Sequence, residues 1–261
     1  MANTLDLLRV DGRIALVTGG SRGLGRCMAL ALADAGADVV ITGRTPETLD
    51  ATAGDLRRRG RTAWTVRADM GRPEECEAAC RTVLQERGPI DILINNVGNR
   101  VGSRPIGEET NETWREAIDL NLTSCAIATR IVGQAMLERG GGGRVINIAS
   151  ISALIVNRGI GGRAYETAKA AVLHFTRCAA ADWAPHGVTV NAICPGLFMT
   201  DANREWNERR PDVIAEFVKH IPMGRPGEPE EIGPLAVYLA SPASAYVTGA
   251  AFVIDGGYTA W

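Results

Sequence analysis

The sequence of 261 residues predicts an α/β fold in which a parallel, doubly wound sheet is covered by helices on both faces. Short apolar runs rich in Val and Ile alternate with longer stretches of helical periodicity, which is the pattern of repeated strand–helix–strand units. Runs such as VVI, ILI and VINI are continuously apolar, as expected for strands that are buried on both faces. We expect residues 1–261 to form a single domain, since one α/β core commonly reaches this size.

Seven apolar runs are the candidate strands, and six stretches between them are the candidate helices. The strands are predicted at 14–19, 37–43, 62–69, 91–96, 143–150, 188–194 and 250–255. The helices are predicted at 24–35, 47–59, 74–87, 111–138, 164–185 and 229–240. Several begin near a Pro, such as Pro73 and Pro229, and have a Gly just past the end, such as Gly60 and Gly88.

The segment 197–223 departs from this alternation. It combines the aromatic residues Phe198, Trp206 and Phe217 with several basic residues, a composition typical of amphipathic helices that cover a pocket. An ordinary pair of surface helices is the alternative.

The composition excludes several classes of partner. With 28 basic and 30 acidic residues the net charge is −2, so no basic stripe is available to neutralise the phosphates of DNA or RNA. No apolar run is long enough to span a bilayer. Asp6, Arg9 and Asp11 interrupt the apolar region that a secretory signal would need. We therefore expect a cytoplasmic protein that binds a small molecule, with no nucleic-acid or membrane partner.

The six cysteines lie mostly in apolar helix or strand patterns, which suits free thiols in a reducing compartment. Cys76 and Cys80 are one helical turn apart, but no second Cys or His pair with ligand spacing follows them. No metal site is predicted.

A glycine-rich loop, TGGSRGLG at residues 18–25, follows the first predicted strand and leads directly into a helix. Gly19 is expected to allow a tight turn, Gly23 to let the backbone approach a pyrophosphate, and Gly25 to permit close packing of helix on strand. The unpaired N–H groups of the helix N-terminus would face the anion. This position between strand and helix predicts a dinucleotide site. Its candidate binding residues are Gly19, Ser21, Arg22, Gly23, Leu24 and Gly25.

Tyr165 and Lys169 are four residues apart in the helix predicted over 164–185, so both project from one face. An ammonium group near a phenol favours the phenolate, and we expect it to lower the pKa of Tyr165 toward a usable range. Tyr165 would then donate a proton in carbonyl reduction and act as the base in the reverse reaction. A surface pair of Tyr and Lys is the alternative.

Several motifs, in this order, together resemble the short-chain dehydrogenase/reductase family. They are the GxxxGxG spacing of the glycine loop, Asn95-Asn96-Val97-Gly98, Tyr165 with Lys169, Pro195-Gly196 with the later Thr200, and Val247-Thr248-Gly249. The resemblance runs from about Gly12 to Gly257. It implies a Rossmann-like sheet of about seven parallel strands in the order 3-2-1-4-5-6-7, bound NAD or NADP, and a homotetramer with the C-terminal end, including Trp261, at an interface.

The resemblance also implies roles for single residues on the adenosine side of the cofactor. Asp69 would reach the adenine, and the turn at residues 95–98, with Asn95 and Gly98 as its candidate binding residues, would support the adenosine.

Further implied roles lie on the nicotinamide side. Lys169 would hold the ribose hydroxyls, and Pro195, Gly196 and Thr200 would fix the carboxamide. Asn121 would hold a water in the proton relay to the lysine. Asn is intrinsically unfavourable inside a helix, which independently favours a role, although a buried Asn satisfied locally is the alternative.

A hydroxyl group must also polarise the substrate carbonyl, and two serines are candidates. Ser152 lies 13 residues before Tyr165 (165 − 152), the commoner spacing in the family, whereas Ser150 better matches the position at the strand end. We prefer Ser150. Either serine could be only a strand cap.

The end of the second strand indicates which dinucleotide is bound. A carboxylate there would accept a hydrogen bond from a free 2′-hydroxyl, whereas an arginine would pair with a 2′-phosphate. Gly43-Arg44 occupies this point, and Arg22 could approach from the other side, which favours NADP over NAD. Alternatively, Arg44 is a solvated loop residue and Arg22 stacks on adenine.

We expect three segments to determine which substrate is bound: the loop after Gly98, the loop at 154–164 and the segment 197–223. The polar residues of these loops are Asn99, Arg100, Arg104, Asn157, Arg158 and Arg163, beside Leu154, Ile155 and Val156. The loop sequence is similar to that of family members that interconvert sugar acids or polyols with their keto forms, including gluconate 5-dehydrogenase-like proteins. Solvated surface charge is the other interpretation of the arginines.

Two functions without catalysis stay open from the sequence alone. A silent NADP-binding sensor would have lost a catalytic residue type, whereas all four types are present here. A scaffold or assembly role would depend mainly on the C-terminal strand and Trp261.

Overall fold

The computed structural model describes residues 3–102, 104–157 and 161–260, and within them the chain forms one seven-stranded sheet. The strands are β1 (Ile14–Val17), β2 (Asp38–Gly43), β3 (Ala63–Arg67), β4 (Ile92–Asn95), β5 (Gly143–Ile148), β6 (Val188–Pro195) and β7 (Ala251–Ile254). All neighbouring pairs are parallel, in the order β3-β2-β1-β4-β5-β6-β7. The predicted fold class and strand order are confirmed.

Nine α-helices in the described part of the chain surround this sheet. They are α1 (Gly23–Asp34), α2 (Pro46–Arg58), α3 (Pro73–Arg87), α4 (Asn111–Ile118), α5 (Ser124–Arg139), α6 (Arg163–Trp183), α7 (Asp201–Arg209), α8 (Pro211–Lys219) and α9 (Gly233–Ala240). The predicted helix at 229–240 starts as a 3₁₀ turn, Pro229–Ile232, before α9 begins. No helix among the described residues combines the length and the apolar character that crossing a membrane requires.

Successive side chains of each central strand enter different cores on the two faces of the sheet. Val39 and Ile41 of β2 pack with α1, α2 and α9, whereas Val40 between them packs with α3 and α5. The same alternation holds in β4, where Leu93 faces the side opposite to Ile92 and Ile94. Continuously apolar strands therefore follow from burial on both faces.

The prediction of one uninterrupted helix over 111–138 is wrong. A π-helical turn, Asp119–Thr123, separates α4 from α5. Asn121 lies in this turn, and its side-chain amide donates to the carbonyl of Ala117, four residues earlier. Because this side chain competes with backbone donors for a helix carbonyl, the regular α-helical ladder is interrupted here.

The segment 197–223 forms the two short helices α7 and α8, which meet at Arg210. The Phe217 ring of α8 stacks on Tyr258, with 4.4 Å between ring centroids, and thereby joins this segment to the C-terminal turn. Arg158 and Trp261, which carry predictions about the substrate loop and the interface, lie outside the described residues.

Candidate active site

The polar residues singled out in the sequence converge at one edge of the sheet. The glycine loop follows β1, Asn96 follows β4, Ser150 follows β5, and Gly196 follows β6. All these strands are parallel, so their carboxyl ends meet at the same edge, which is where open α/β sheets bind ligands.

Close backbone packing shapes the glycine loop. Gly19 and Gly23 have φ angles of 62° and 54°, in the left-handed region that favours glycine. A methyl group at Gly25 would overlap the carbonyl oxygen of Gly19, so α1 can start this close to β1 only with glycine at that position. The amide of Asn96 donates to the carbonyls of Thr18 and Gly19, at 3.1 Å each, and holds the turn from the side of β4.

A cleft of about 290 Å³ opens beside this loop, and its walls suit the phosphates of a dinucleotide. Ser21, Arg22 and Gly23 line it from the loop, and Thr200 from the start of α7. Arg22 is the N-cap residue of α1, and no side chain caps the helix there, so its N-terminal N–H groups are available to an anion. Leu24, the next residue, is partly buried and packs on the core beneath the loop.

Arg44 and Asp69 lie together at the ends of β2 and β3. Their closest charged atoms, Nη1 and Oδ2, are 3.8 Å apart, and the Arg44 side chain is 66% exposed. A loose surface ion pair of this kind contributes little, so the arginine can turn toward another anion. Arg22 is also exposed, on the glycine loop.

The side chain of Asn95, a candidate binding residue, points into the core. Its amide nitrogen donates to Thr129 Oγ1 and to Asn147 Oδ1, at 2.8 Å each, and Asn147 donates in turn to Thr176 on α6. This polar chain joins β4, β5, α5 and α6 beneath the site. Asn96, which sequence reasoning did not single out, makes the contact with the glycine loop instead. A direct contact of Asn95 with a cofactor stays a prediction.

Lys169 is buried at the centre of the site, with 3% of its surface exposed. Its ammonium donates to the carbonyl of Ile148 at the end of β5, at 2.8 Å. It also lies 5.8 Å from the centroid of the Tyr165 ring. Burial lowers the pKa of Lys169 to about 8, because removing an ammonium group from water disfavours its charged form.

The protein's own groups shift the pKa of Tyr165 upward, opposite to the direction expected from the sequence. Burial raises this pKa, while a hydrogen bond with the Ser150 hydroxyl and the charge of Arg100 oppose the rise. The spacing of Tyr165 and Lys169 could show their common face but not the depth at which the phenol is buried.

The two candidate serines have different surroundings. The Ser150 hydroxyl faces Tyr165 and accepts the backbone N–H of Ser152, at 3.1 Å. The Ser152 hydroxyl accepts from Asn157 at 2.7 Å and from Arg100 at 3.1 Å, so its lone pairs are engaged inside the loop. Of the two hydroxyls, that of Ser150 lies beside the phenol of Tyr165, and its role as the polarising group stays a prediction.

Asn121 holds the loop that follows β4. Its side-chain oxygen accepts from the N–H of Asn99 at 3.0 Å, and its amide donates to the carbonyl of Asn99 at 2.9 Å. Gly98 lies between Asn121 and Lys169: a methyl group there would lie 2.7 Å from both Asn121 Oδ1 and Lys169 Nζ. The π-helical turn thus places Asn121 beside the lysine, where the proton relay was predicted, although no contact tests the relay itself.

Pro195 ends β6. The next residue, Gly196, still pairs with β7, because its N–H donates to the carbonyl of Ile254 at 2.9 Å. A methyl group at Gly196 would approach the Cα of Asp255 to 2.8 Å. Thr200 is the N-cap residue of α7, and its methyl group faces Gly23. These three residues connect the catalytic side of the edge with the glycine loop.

Comparisons with known proteins agree with this geometry. A family model described as enoyl-(acyl carrier protein) reductase matches residues 19–259. Galactitol 2-dehydrogenase (L-tagatose-forming) of Cereibacter sphaeroides is 38% identical over 256 residues, which are 98% of this chain and 98% of that protein. The 2-dehydro-3-deoxy-D-gluconate 5-dehydrogenase of Bacillus subtilis is 39% identical over 258 residues, or 97% of each chain.

A solved structure is similar over the whole fold. The crystal structure of a protein from Beutenbergia cavernae, described as an NAD(P)-dependent gluconate 5-dehydrogenase with bound NADP, superposes with a TM-score of 0.90 at 35% identity. The match covers 98% of this chain and 100% of the other.

Replacing the buried ammonium should change how stability depends on pH. Because the folded state lowers the pKa of Lys169 from 10.5 to about 8, the unfolded chain binds more protons between these values, and the wild type gains stability as pH rises through them. We expect Lys169→Met to lack this gain, so that its stability relative to the wild type falls by about 2 kcal/mol between pH 7 and pH 9.5. Urea denaturation at the two pH values measures the difference. The matched control is Lys219→Met at an exposed site, and parallel pH curves for Lys169→Met and the wild type would contradict the expectation.

Proposed function

The chain belongs to the short-chain dehydrogenase/reductase family of oxidoreductases, and from this premise we propose that it interconverts a carbonyl and a secondary alcohol with NADP(H). The observation that carries the proposal is the convergence of Tyr165, Lys169, Ser150 and Asn121 at the carboxyl edge of the sheet, beside a cleft lined by the glycine loop.

In the proposed reaction, Tyr165 transfers the proton. During reduction its phenol donates to the carbonyl oxygen of the substrate, and during oxidation the phenolate accepts the proton of the alcohol. The Ser150 hydroxyl donates to the same oxygen and stabilises the negative charge that develops there. Bound NADP(H) supplies or takes up the hydride.

Lys169 positions and polarises the other groups. Its ammonium is fixed by the Ile148 carbonyl, and its other N–H donors would bind the ribose hydroxyls. Asn121 keeps Gly98 and Asn99 close to Lys169. It would also hold the water that passes protons to this lysine. Pro195, Gly196 and Thr200 would orient the carboxamide from the other side.

The arginines support NADP as the cofactor. Arg44 stands where an NAD-selecting carboxylate would accept the hydrogen bond of the 2′-hydroxyl, and its exposed guanidinium makes a loose pair with Asp69. Arg22 is exposed on the glycine loop. Two guanidinium groups would pair with a 2′-phosphate through charge-assisted hydrogen bonds. The bound NADP of the Beutenbergia cavernae protein is in line with this assignment.

For the substrate we propose a polyol or a sugar acid and its keto form. The support comes from relatives named for galactitol and for 2-dehydro-3-deoxy-D-gluconate, each about as long as this chain. Asn99 and Arg104, both exposed, add polar groups to the loop that follows β4, which suits a substrate with many hydroxyls.

A silent NADP sensor or a scaffold is the less favoured function, since the four catalytic side chains are all present and close together. We also propose a homotetramer. β7 is an edge strand of the described sheet, and Val253 on it is 43% exposed, which suits association through this edge. A monomeric mass by light scattering would contradict it. The cytoplasmic location stays a prediction of the sequence.

The central test is NADPH oxidation with a panel of ketones that includes keto sugars and keto acids. We expect turnover with at least one, and a loss of kcat of about 10²- to 10⁴-fold in Tyr165→Phe, because the variant lacks the transferable proton. Tyr246→Phe, at a fully exposed site, is the control. Tight NADPH binding without turnover across the panel would support the sensor, and near wild-type turnover in Tyr165→Phe would refute the role of the phenol.

The two serines provide a matched pair of variants. Ser150→Ala should lower kcat by about 10²- to 10³-fold, since it removes a donor to the developing oxyanion. Ser152→Ala should cost less than about tenfold, as its hydroxyl serves the loop. Steady-state kinetics with the same ketone compares them, and the reverse ranking would reassign the polarising group to Ser152.

Arg44→Asp tests the choice of dinucleotide. We expect kcat/KM with NADPH to fall by about 10- to 100-fold, because a carboxylate repels the 2′-phosphate, and kcat/KM with NADH to change little or rise. The exposed Arg115→Asp on α4 makes the same charge change elsewhere and should leave the ratio unaltered. Equal or better efficiency of the wild type with NADH would overturn the assignment.

A further inference from the structure

A second cation lies against Tyr165, at a position that no sequence pattern indicates. The guanidinium of Arg100 stacks over the Tyr165 ring, with its central carbon 4.6 Å from the ring centroid. The Arg100 side chain is only 21% exposed, although it belongs to the loop after β4 that was interpreted as a carrier of solvated charge or substrate contacts.

Three contacts fix the guanidinium in this place. Nη1 donates to the carbonyl of Gly161 at 2.5 Å, and Nη2 donates to the Ser152 hydroxyl at 3.1 Å. Oε1 of Glu166 lies 3.6 Å from Nη1. The backbone beside Arg100 is held as well, because Asn121 makes two hydrogen bonds to Asn99. This arginine is therefore part of the built site.

The charge of Arg100 is only partly compensated. Glu166 is 7% exposed at its side chain, and its other oxygen makes a 2.5 Å hydrogen bond to Arg163. Two guanidinium groups thus share one carboxylate, and the cluster keeps a net positive charge beside the phenol.

Among the described residues, the Lys169 ammonium, the Cys194 thiol and the Ser150 hydroxyl also face Tyr165. Lys169 and Arg100 differ in one respect. Burial lowers the pKa of Lys169 to about 8, so its charge is lost in mildly alkaline solution, whereas a guanidinium stays protonated throughout this range.

We propose that Arg100 is a positioning residue that acts through Tyr165: its guanidinium stabilises negative charge on the phenolic oxygen and favours the form of Tyr165 that accepts the alcohol proton. The stack also fixes the ring in one orientation, since cation and aromatic face attract each other. The direction of the pKa influences agrees, because Arg100 opposes the rise that burial imposes on Tyr165 while Glu166 and Cys194 add to that rise. The role in turnover rests on the proposed function, but the ionisation of Tyr165 does not.

The first experiment therefore needs no substrate. The chain has four tyrosines, so the ultraviolet titration of Tyr165 is the difference between a protein with Tyr165 and the same protein carrying Tyr165→Phe. We expect Arg100→Met and Arg100→Gln each to raise the titration midpoint of Tyr165 by about one pH unit or more, and Arg100→Lys to restore part of the shift. Arg115→Met, at an exposed arginine of α4, should leave the midpoint unchanged.

Circular dichroism at each pH confirms that the compared variants are folded, and the two neutral replacements guard against a folding defect specific to one of them. An unchanged or lowered midpoint in both Arg100→Met and Arg100→Gln overturns the proposal. A protein that shows the predicted shift but no turnover with any ketone would contradict the proposed function and leave this inference standing.

The second experiment separates an action through Tyr165 from direct substrate binding. The pH profile of kcat for alcohol oxidation should move to higher pH in Arg100→Met, by the same amount for a neutral polyol and for a sugar acid. A rise in KM confined to the sugar acid, with an unchanged pH profile, would instead make Arg100 a carboxylate-binding residue and refute the proposal.

Discussion

The buried ammonium of Lys169 is the constraint on which the site depends. A charge with 3% exposure needs fixed partners, and the only hydrogen bond it has within the described chain goes to the Ile148 carbonyl at the end of β5. That contact fixes the position of α6 along the strands of the sheet. The hydrogen bonds from Asn95 through Asn147 to Thr176 hold α6 in the same position from the core side. The buried polar side chains of the core therefore also position the candidate active site.

Most of the fold could be predicted because it depends on a pattern repeated along the whole chain. Strands buried on both faces carry apolar residues at successive positions, and the runs around Val40 and Leu93 show this without any tertiary information. The interruption at Asn121 could not be predicted in the same way. It comes from one side chain that competes for the Ala117 carbonyl, and a 3.6-residue periodicity cannot show such a local contact.

Features of the site that depend on the spacing of residues in a helix could be predicted. Features that depend on the conformation of a loop could not. The four-residue interval from Tyr165 to Lys169 places both on one helix face whatever the surroundings. Ser150 and Ser152 are equivalent by residue type, and it is the folded loop that sets Ser150 beside Tyr165 and engages Ser152 with Asn157. Arg100 belongs to a segment without periodicity, so nothing in the sequence could indicate that its guanidinium would lie over a phenol.

Because of the π-helical turn at Asp119–Thr123, the number of residues in this part of the chain is as constrained as their identity. A π-turn accommodates one residue more than an α-helical turn, and removing that residue would rotate the preceding helix by about 100° relative to α5. Asn121 would then face away from Asn99, and the loop with Arg100 would lose its anchor. Single-residue insertions and deletions should therefore be tolerated far less here than amino-acid exchanges on the outer surface of α5.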